Sequence, residues 1–561
     1  MRGSSLTIAG RPQRKSGPIR LSTIHTPPSK QLFSQHAHLL AAPTDTCQSA
    51  MSDPRIASQT PGSVAGLGGS GFVLPSFEDS FERPPRVWPP RTGFWGRTRY
   101  LLSGMLPGSH RIPRDLPKQS EDGSGVPHLH EMHEQAMPRM YRLLGDTRFG
   151  HVRGYRSARK IVVIGVHGWY AQSILKNVIG APIGTSDKFA TMMAESIRRK
   201  YAEAGVHLGP EDIATIAMQH DGCVLERADA FYDGILQNSD WVTALRNAEA
   251  IFVAAHSQGA IVSTLLLARL LDEGLVESSK TRMCQLTMCG IFQGPFVHIK
   301  NSIASSYLSY FETAAARELF EFQSSESDVS RLHRKAYRRI LGAGVKCVHV
   351  GSVDDNAVPL YSALFSCVAH PSILRAVYVD GVAFPEKDFL IMLIALCVLI
   401  RNSGFHDHNL LTLLSASVAG SLYTGMGHTN LYNEPAVYDI ATRYMFETYS
   451  PHTSGATNVP LVGIPYTSQR WNSYELPWSL RGLLEDRVIS HFFMKDIRAL
   501  VKDYASWNPT NKRLKELHRR LAPMATVHVP TAPSLMKDEP SDEDEEDAFH
   551  PAVHKTPPAK L

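Results

Sequence analysis

Apolar and polar positions give this 561-residue chain a folded middle between two poorly patterned ends. Six short runs rich in β-branched residues recur: KIVVIGV (160–166), IATIAMQ (213–219), AIFVAA (250–255), CQLTMCGIF (284–292), VKCVHV (345–350) and ILRAVYV (373–379). They are apolar throughout rather than alternating, the pattern of strands buried on both faces. Helical periodicity fills most of the gaps, over 186–204, 240–249, 259–272, 306–322 and 328–341. Strands alternating with helices predict an α/β fold, a roughly six-stranded parallel sheet with right-handed crossovers. Further helices are expected over 434–448 and 480–506; in the second, Leu480, Leu484, Val488, Phe492, Ile497 and Val501 fall near helical spacing. The longest apolar run, FLIMLIALCVLI (389–400), is too short to span a bilayer and is closed by Arg401.

The ends differ from the middle. Residues 1–127 hold 16 of the 36 prolines, against six in residues 160–430. A Pro/Ser/Arg-rich stretch without periodicity cannot bury enough apolar surface to offset its ordering entropy, so 1–128 is expected to be disordered. Within it, GFWGRTRYLLSGML (93–106) is a candidate for peripheral membrane contact or for a short helix docked on the folded domain. The folded domain then spans 129–450, a helical extension 451–522, and a disordered acidic tail 523–561. The tail contains DEPSDEDEED (538–547), where Ser541 is a candidate phosphorylation site.

Composition narrows the function classes. A net charge of +5 is too weak to imply a nucleic-acid partner. Seven cysteines without paired spacing exclude a disulfide scaffold and a cysteine-rich zinc module. Six of them (Cys223, Cys284, Cys289, Cys347, Cys367, Cys397) lie in or beside apolar segments and read as small buried hydrophobes in a reducing compartment. No metal cluster, phosphate loop or dinucleotide fingerprint is legible, and no cofactor is expected. The N-terminus lacks the apolar core of a secretory signal.

The sharpest chemical feature is AIFVAAHSQGAIVSTLLLARLL, an apolar strand running through Ala255-His256-Ser257-Gln258-Gly259 into an apolar helix. This is a nucleophile elbow in the strand–turn–helix context that the motif requires. Small neighbours two before and two after Ser257 let strand and helix cross closely, and the helix N-terminus favours developing negative charge. A serine needs a base, and the base an orienting acid. Asp354 and Asp355 follow the strand VKCVHV at a sheet edge where catalytic groups gather. Asp355 is preferred for its spacing to Val358 and Pro359, with Asp354 as the alternative. His428, in the glycine-rich loop GSLYTGMGHTNLY, is the candidate base, 73 residues beyond Asp355. The oxyanion donors are expected to be the N–H groups of Gln258 and of Trp169, the latter in GVHGWYAQS after the first strand. Trp169 and Tyr170 would wall an acyl site.

With these residues assembled, the chain from about 155 to 450 resembles the α/β-hydrolase superfamily. More narrowly it is similar to a family of fungal α/β-hydrolase proteins with HGWY, HSQG, D-x-x-VPLYSA and GMGHTNLY motifs; here these read HGWYAQS, AHSQGA, DNAVPLYSA and GMGHTNLY. The HSQG elbow also resembles those of lipases. The resemblance implies a serine hydrolase fold, and it supplies no substrate. Insertions at 294–343 (with Tyr307, Tyr310, Phe311, Phe320 and Phe322) and 387–423 are candidate lids, with a hydrophobic core layer as the other reading. An apolar lid suggests a lipid or acyl-ester substrate. The expected activity is that of a serine carboxylester hydrolase; the rival is a non-catalytic scaffold for binding or tethering.

The chain ends in Ala559-Lys560-Leu561, a variant of the peroxisomal Ser-Lys-Leu signal, which predicts a peroxisomal import receptor as partner and a peroxisomal address. Cytoplasmic placement is the alternative. A mitochondrial one ranks after it: residues 1–44 carry six Lys/Arg and no acid, but Pro12, Pro18, Pro27 and Pro28 break any amphipathic helix.

Overall fold

The computed structural model describes residues 71–81, 160–169, 184–297, 299, 314–381, 384, 388–418, 426–448, 459, 461–467 and 472–526. All fall in one of two compact units, Gly66–Leu561. Outside the described residues lie 1–70, the 93–106 patch, Tyr170, Tyr307, Tyr310, Phe311, and the tail with Ser541, 538–547 and Ala559–Leu561.

The strands are β1 (Gly71–Leu74), β2 (Ile161–Val166), β3 (Ile213–Met218), β4 (Ala250–His256), β5 (Arg282–Met288), β6 (Lys346–Ser352), β7 (Val368–Ala369), β8 (Ile373–Asp380) and β9 (Val462–Gly463). The main sheet has the order β1-β8-β6-β5-β4-β2-β3, and β7 pairs with β9 in a separate two-residue ladder. The six strands expected from the apolar runs are mutually parallel. Their continuous apolar character is explained by burial on both faces. Ile251, Val253 and Ala255 of β4 face one core, with helices Val224–Gln237, Gln258–Asp272 and Asp328–Gly342; Ala250, Phe252 and Ala254 face another, with helices Thr185–Glu203 and Pro435–Phe446.

Several elements differ from expectation. β1 is an added antiparallel strand on β8, followed by a short helix Phe77–Phe81 whose Phe77 and Ser80 are buried. This segment lies within the stretch read as disordered. Its order comes from main-chain pairing to a sheet edge, which hydrophobic periodicity does not register. Helix Val224–Gln237 was not anticipated. The fourth run stops being a strand at Met288, because Cys289 takes φ +48° and turns the chain. The 480–506 stretch is two helices, Leu476–Leu484 and Arg487–Ser506; Asp486 starts the second by accepting from Val488 N at 2.9 Å. The extension also continues to Thr526, in a short turn whose Met524 is buried.

Of the two readings of the apolar run, the fold uses the core layer. Helix Phe389–Asn402 packs with Leu410–Ser417, Leu476–Leu484 and Arg487–Ser506 in a third core against Val377 and Val379 of β8. Phe322, from the other insertion, is buried beside His333. Among the described residues no helix is long and apolar enough to cross a membrane.

Candidate active site

Sheet register assembles the site. β2 and β4 pair up to Val166 and Ala255, and β4 and β5 up to His256 and Met288. The following residues, His167, Ser257 and Cys289, therefore leave the sheet side by side at its carboxyl edge, and β6 delivers Asp354 and Asp355 to the same edge.

Ser257 sits at φ +54°, ψ −123°, a conformation that non-glycine residues rarely adopt. It is held there by its own N–H, donated to Met288 O at 2.9 Å, and by its carbonyl, which accepts from Ala260 N at 3.1 Å. The tight crossing requires two glycines. A Cβ on Gly259 would strike the His167 carbonyl oxygen and come within 2.7 Å of that of Val166; one on Gly168 would lie 2.9 Å from Ser257 Cβ. The loop carrying His167, Gly168 and Trp169 thus lies against the elbow itself. The Gln258 N–H opens helix Gln258–Asp272 without an acceptor among the described residues. Trp169 is half-buried and packs on the core beneath this loop.

His428 Nδ1 donates to Asp355 Oδ2 at 2.8 Å. That bond to an acceptor fixes the tautomer and leaves Nε2 as the basic nitrogen. The other carboxylate oxygen of Asp355 accepts from Ala357 N at 2.7 Å and Val358 N at 2.8 Å. Burial raises the Asp355 pKa, but His428, the Cys289 thiol and the Val358 N–H outweigh it and hold the carboxyl below its ordinary range. Asp354 faces the loop differently: its main-chain carbonyl accepts from Gly427 N at 3.0 Å. Gly427 is confined by this contact, since a Cβ would meet Ser352 Oγ and, at 2.8 Å, the Asp354 carbonyl carbon. At the far end of the helix that follows His428, buried Lys346, the first residue of β6, donates to Tyr444 O at 2.8 Å and Thr448 Oγ1 at 2.6 Å, anchoring that helix to the strand that carries the acid.

The structure thus brings His428 onto Asp355 rather than Asp354, and it sets Gln258 and the Trp169 loop around the Ser257 turn. His428 also reaches the elbow: its carbonyl accepts from His256 Nε2 at 2.9 Å, and the two rings lie 4.6 Å apart. Among the described residues the Ser257 hydroxyl makes no hydrogen bond with His428.

Three residues of this site were not singled out from sequence. His256 is neutral, its pKa lowered to about 3 by burial and then by His428, so it serves as a fixed donor to the base's main chain. Arg227 is fully buried on helix Val224–Gln237 and donates to Gln258 Oε1 at 2.6 Å and to His167 O at 2.8 Å, tying the elbow helix to the opposing loop. A cation within an apolar helical stripe (Val224, Ala228, Phe231, Ile235) was the available signal. Cys289 is more than a small hydrophobe. With Asp355 and His428 it forms a group whose ligating atoms lie within 4.8 Å of one another, although no metal cluster was expected from the sequence. The carboxylate and imidazole in that group already bind each other.

The model of the YMC0/YMC35 alpha/beta hydrolase domain matches residues 133–487, more than half of the chain. The chain belongs to this family. Its YMC0/YMC35 domain includes every residue of the site and takes in helix Leu476–Leu484 of the C-terminal extension, ending at Arg487. Among curated proteins none matches the chain. The α/β-hydrolase fold expected from the elbow and strand pattern is therefore that of a recognised hydrolase domain.

Proposed function

We propose that the chain is a serine carboxylester hydrolase acting on a lipid-like or other acyl ester. The observation that carries this reading is the 2.8 Å bond from His428 Nδ1 to Asp355 beside a serine held at positive φ on a strand–helix turn. His428 Nε2 takes the Ser257 proton as Oγ attacks the acyl carbonyl. Asp355 stays ionised and stabilises the imidazolium. The N–H groups of Gln258 and Trp169 meet the oxyanion, aided by the helix N-terminus at Gln258. The protonated imidazole passes its proton to the leaving alcohol. A water, deprotonated by the same nitrogen, then splits the acyl-enzyme and regenerates Ser257. Met426, two residues before His428, is 52% exposed, and an apolar side chain at that position suits an acyl chain better than a sugar or a charged group.

A fluorophosphonate probe tests the proposal. It should label the wild-type chain and leave Ser257→Ala unlabelled. Absence of labelling in both, with short-chain and long-chain esters left intact, would favour a non-catalytic scaffold.

A further inference from the structure

Tyr474 and Trp478 are the most exposed large apolar side chains among the described residues, at 79% and 71%. They stand one helical turn apart. Tyr474 lies in the short turn that leads into helix Leu476–Leu484, and Arg481 continues the same exposed line. The opposite side of this helix, Leu476, Leu480 and Leu483, is buried in the third core. The fold therefore directs two aromatics outward from a well-anchored helix.

A basic helix adjoins them. Lys512–Arg520 carries five Lys/Arg against one acid, Glu516. Leu517 faces inward, while Lys512, Lys515 and Arg519 are exposed. Arg520, from its last turn, lies with its guanidinium carbon 5.9 Å from the Tyr474 ring, so the aromatic and cationic surfaces are continuous.

We infer that this surface docks on an anionic phospholipid bilayer. Tryptophan and tyrosine favour the boundary between headgroups and acyl chains, where an apolar ring and a polar edge are both satisfied. Clustered Lys and Arg beside them are attracted by the negative surface potential of acidic lipids. Against the cations Arg481, Lys512, Arg513, Lys515, Arg519 and Arg520 stand the acids Glu475, Glu485 and Glu516. Glu485 pairs with Arg481 and Glu516 with Arg519 and Arg520, so the surface keeps a net positive charge, carried chiefly by Lys512, Arg513 and Lys515, for which an anionic bilayer is the complement. The surface is built from residues 474–520 and does not depend on the catalytic reading.

The test is co-sedimentation of the full chain with vesicles of phosphatidylcholine alone and with about one quarter phosphatidylserine, at low and high salt. Binding is expected on the anionic vesicles only, falling as salt rises. Trp478→Ala with Tyr474→Ala, and separately Lys512→Glu with Lys515→Glu, should each weaken it on the order of tenfold while fluorophosphonate reactivity in solution matches the wild type. The four side chains are exposed, so the variants keep their cores. Equal binding to both vesicle types, no binding by the wild type, or no change in either variant overturns the inference. So does a dimer that dissolves in Trp478→Ala, which would assign the surface to a second copy.

Discussion

Asp355 is a fully buried carboxylate whose charge is supported from several directions: two backbone N–H groups at one oxygen, the His428 ring at the other, and the Cys289 thiol nearby. A buried acid without such partners would protonate and lose its use as a counter-charge. Asp355→Asn is expected to lower kcat by about 10⁴-fold, because the amide presents a donor to Nδ1 and selects the wrong tautomer. Asp354→Asn, which approaches the loop through its main-chain carbonyl, is expected to keep most of the rate. Steady-state ester hydrolysis by the two variants checks the ranking, and the reverse order would transfer the role to Asp354. Arg227 acts through others. Arg227→Met should reduce kcat on the order of tenfold to a hundredfold through a loosened oxyanion site, with KM little changed. Equal losses in kcat and in fluorophosphonate labelling rate, with an unchanged circular dichroism spectrum, would separate this from unfolding.

Among the elements, the elbow, the His167–Trp169 loop and the His428 loop are each fitted to a neighbour by a glycine. Gly427→Ala forces a methyl group into Ser352 and the Asp354 main chain. The expected result is a displaced His428, with a large loss of kcat and a smaller loss of stability, since most of the helix after His428 remains held by Lys346. Gly259→Ala should push the His167 carbonyl away and damage both activity and folding, because that contact lies inside the sheet–helix junction. Thermal midpoints measured beside kcat separate the two outcomes: similar midpoint losses in both variants would contradict this assignment.

Across the molecule, buried neutral histidines tie stability to acidity. Burial, followed by Arg227, lowers His167 to about 4; burial, followed by His428, lowers His256 to about 3; burial, followed by Arg334, lowers His333 to about 3. Burial also holds His349 well below its ordinary value. In the unfolded chain these rings take protons near pH 6.5. The unfolded state thus binds more protons between about pH 6.5 and 4, so the stability is present above 6.5 and is lost as pH falls through that window. Each ring adds up to about 1.4 kcal/mol per pH unit there. His333→Leu should remove one ring's share of the slope in urea midpoints measured between neutral pH and pH 5. An unchanged slope would show that His333 takes up its proton in the folded chain as readily as in the unfolded one.

The strand runs and the elbow were legible in the chain itself, because a doubly buried strand must be apolar throughout and a strand–elbow–helix turn admits only small residues at 255 and 259; the family was legible through the resemblance carried by the HGWY, HSQG and GMGHTNLY motifs. His428 was legible as the histidine of a glycine-rich loop ahead of a helix, while the crowding that fixes Gly427 came only from the structure. The tertiary structure alone decided the rest. Which of two adjacent aspartates meets His428 depends on how a loop 73 residues away returns over β6, and sequence spacing carries no such register. The positions of Arg227 and His256 beside the elbow follow from helix and strand packing between segments that share no local pattern. β1 owes its place to main-chain hydrogen bonds with β8, which any side chains of suitable size can make. Local pattern records what each segment must bury; only the packed sheet determines which buried groups become neighbours.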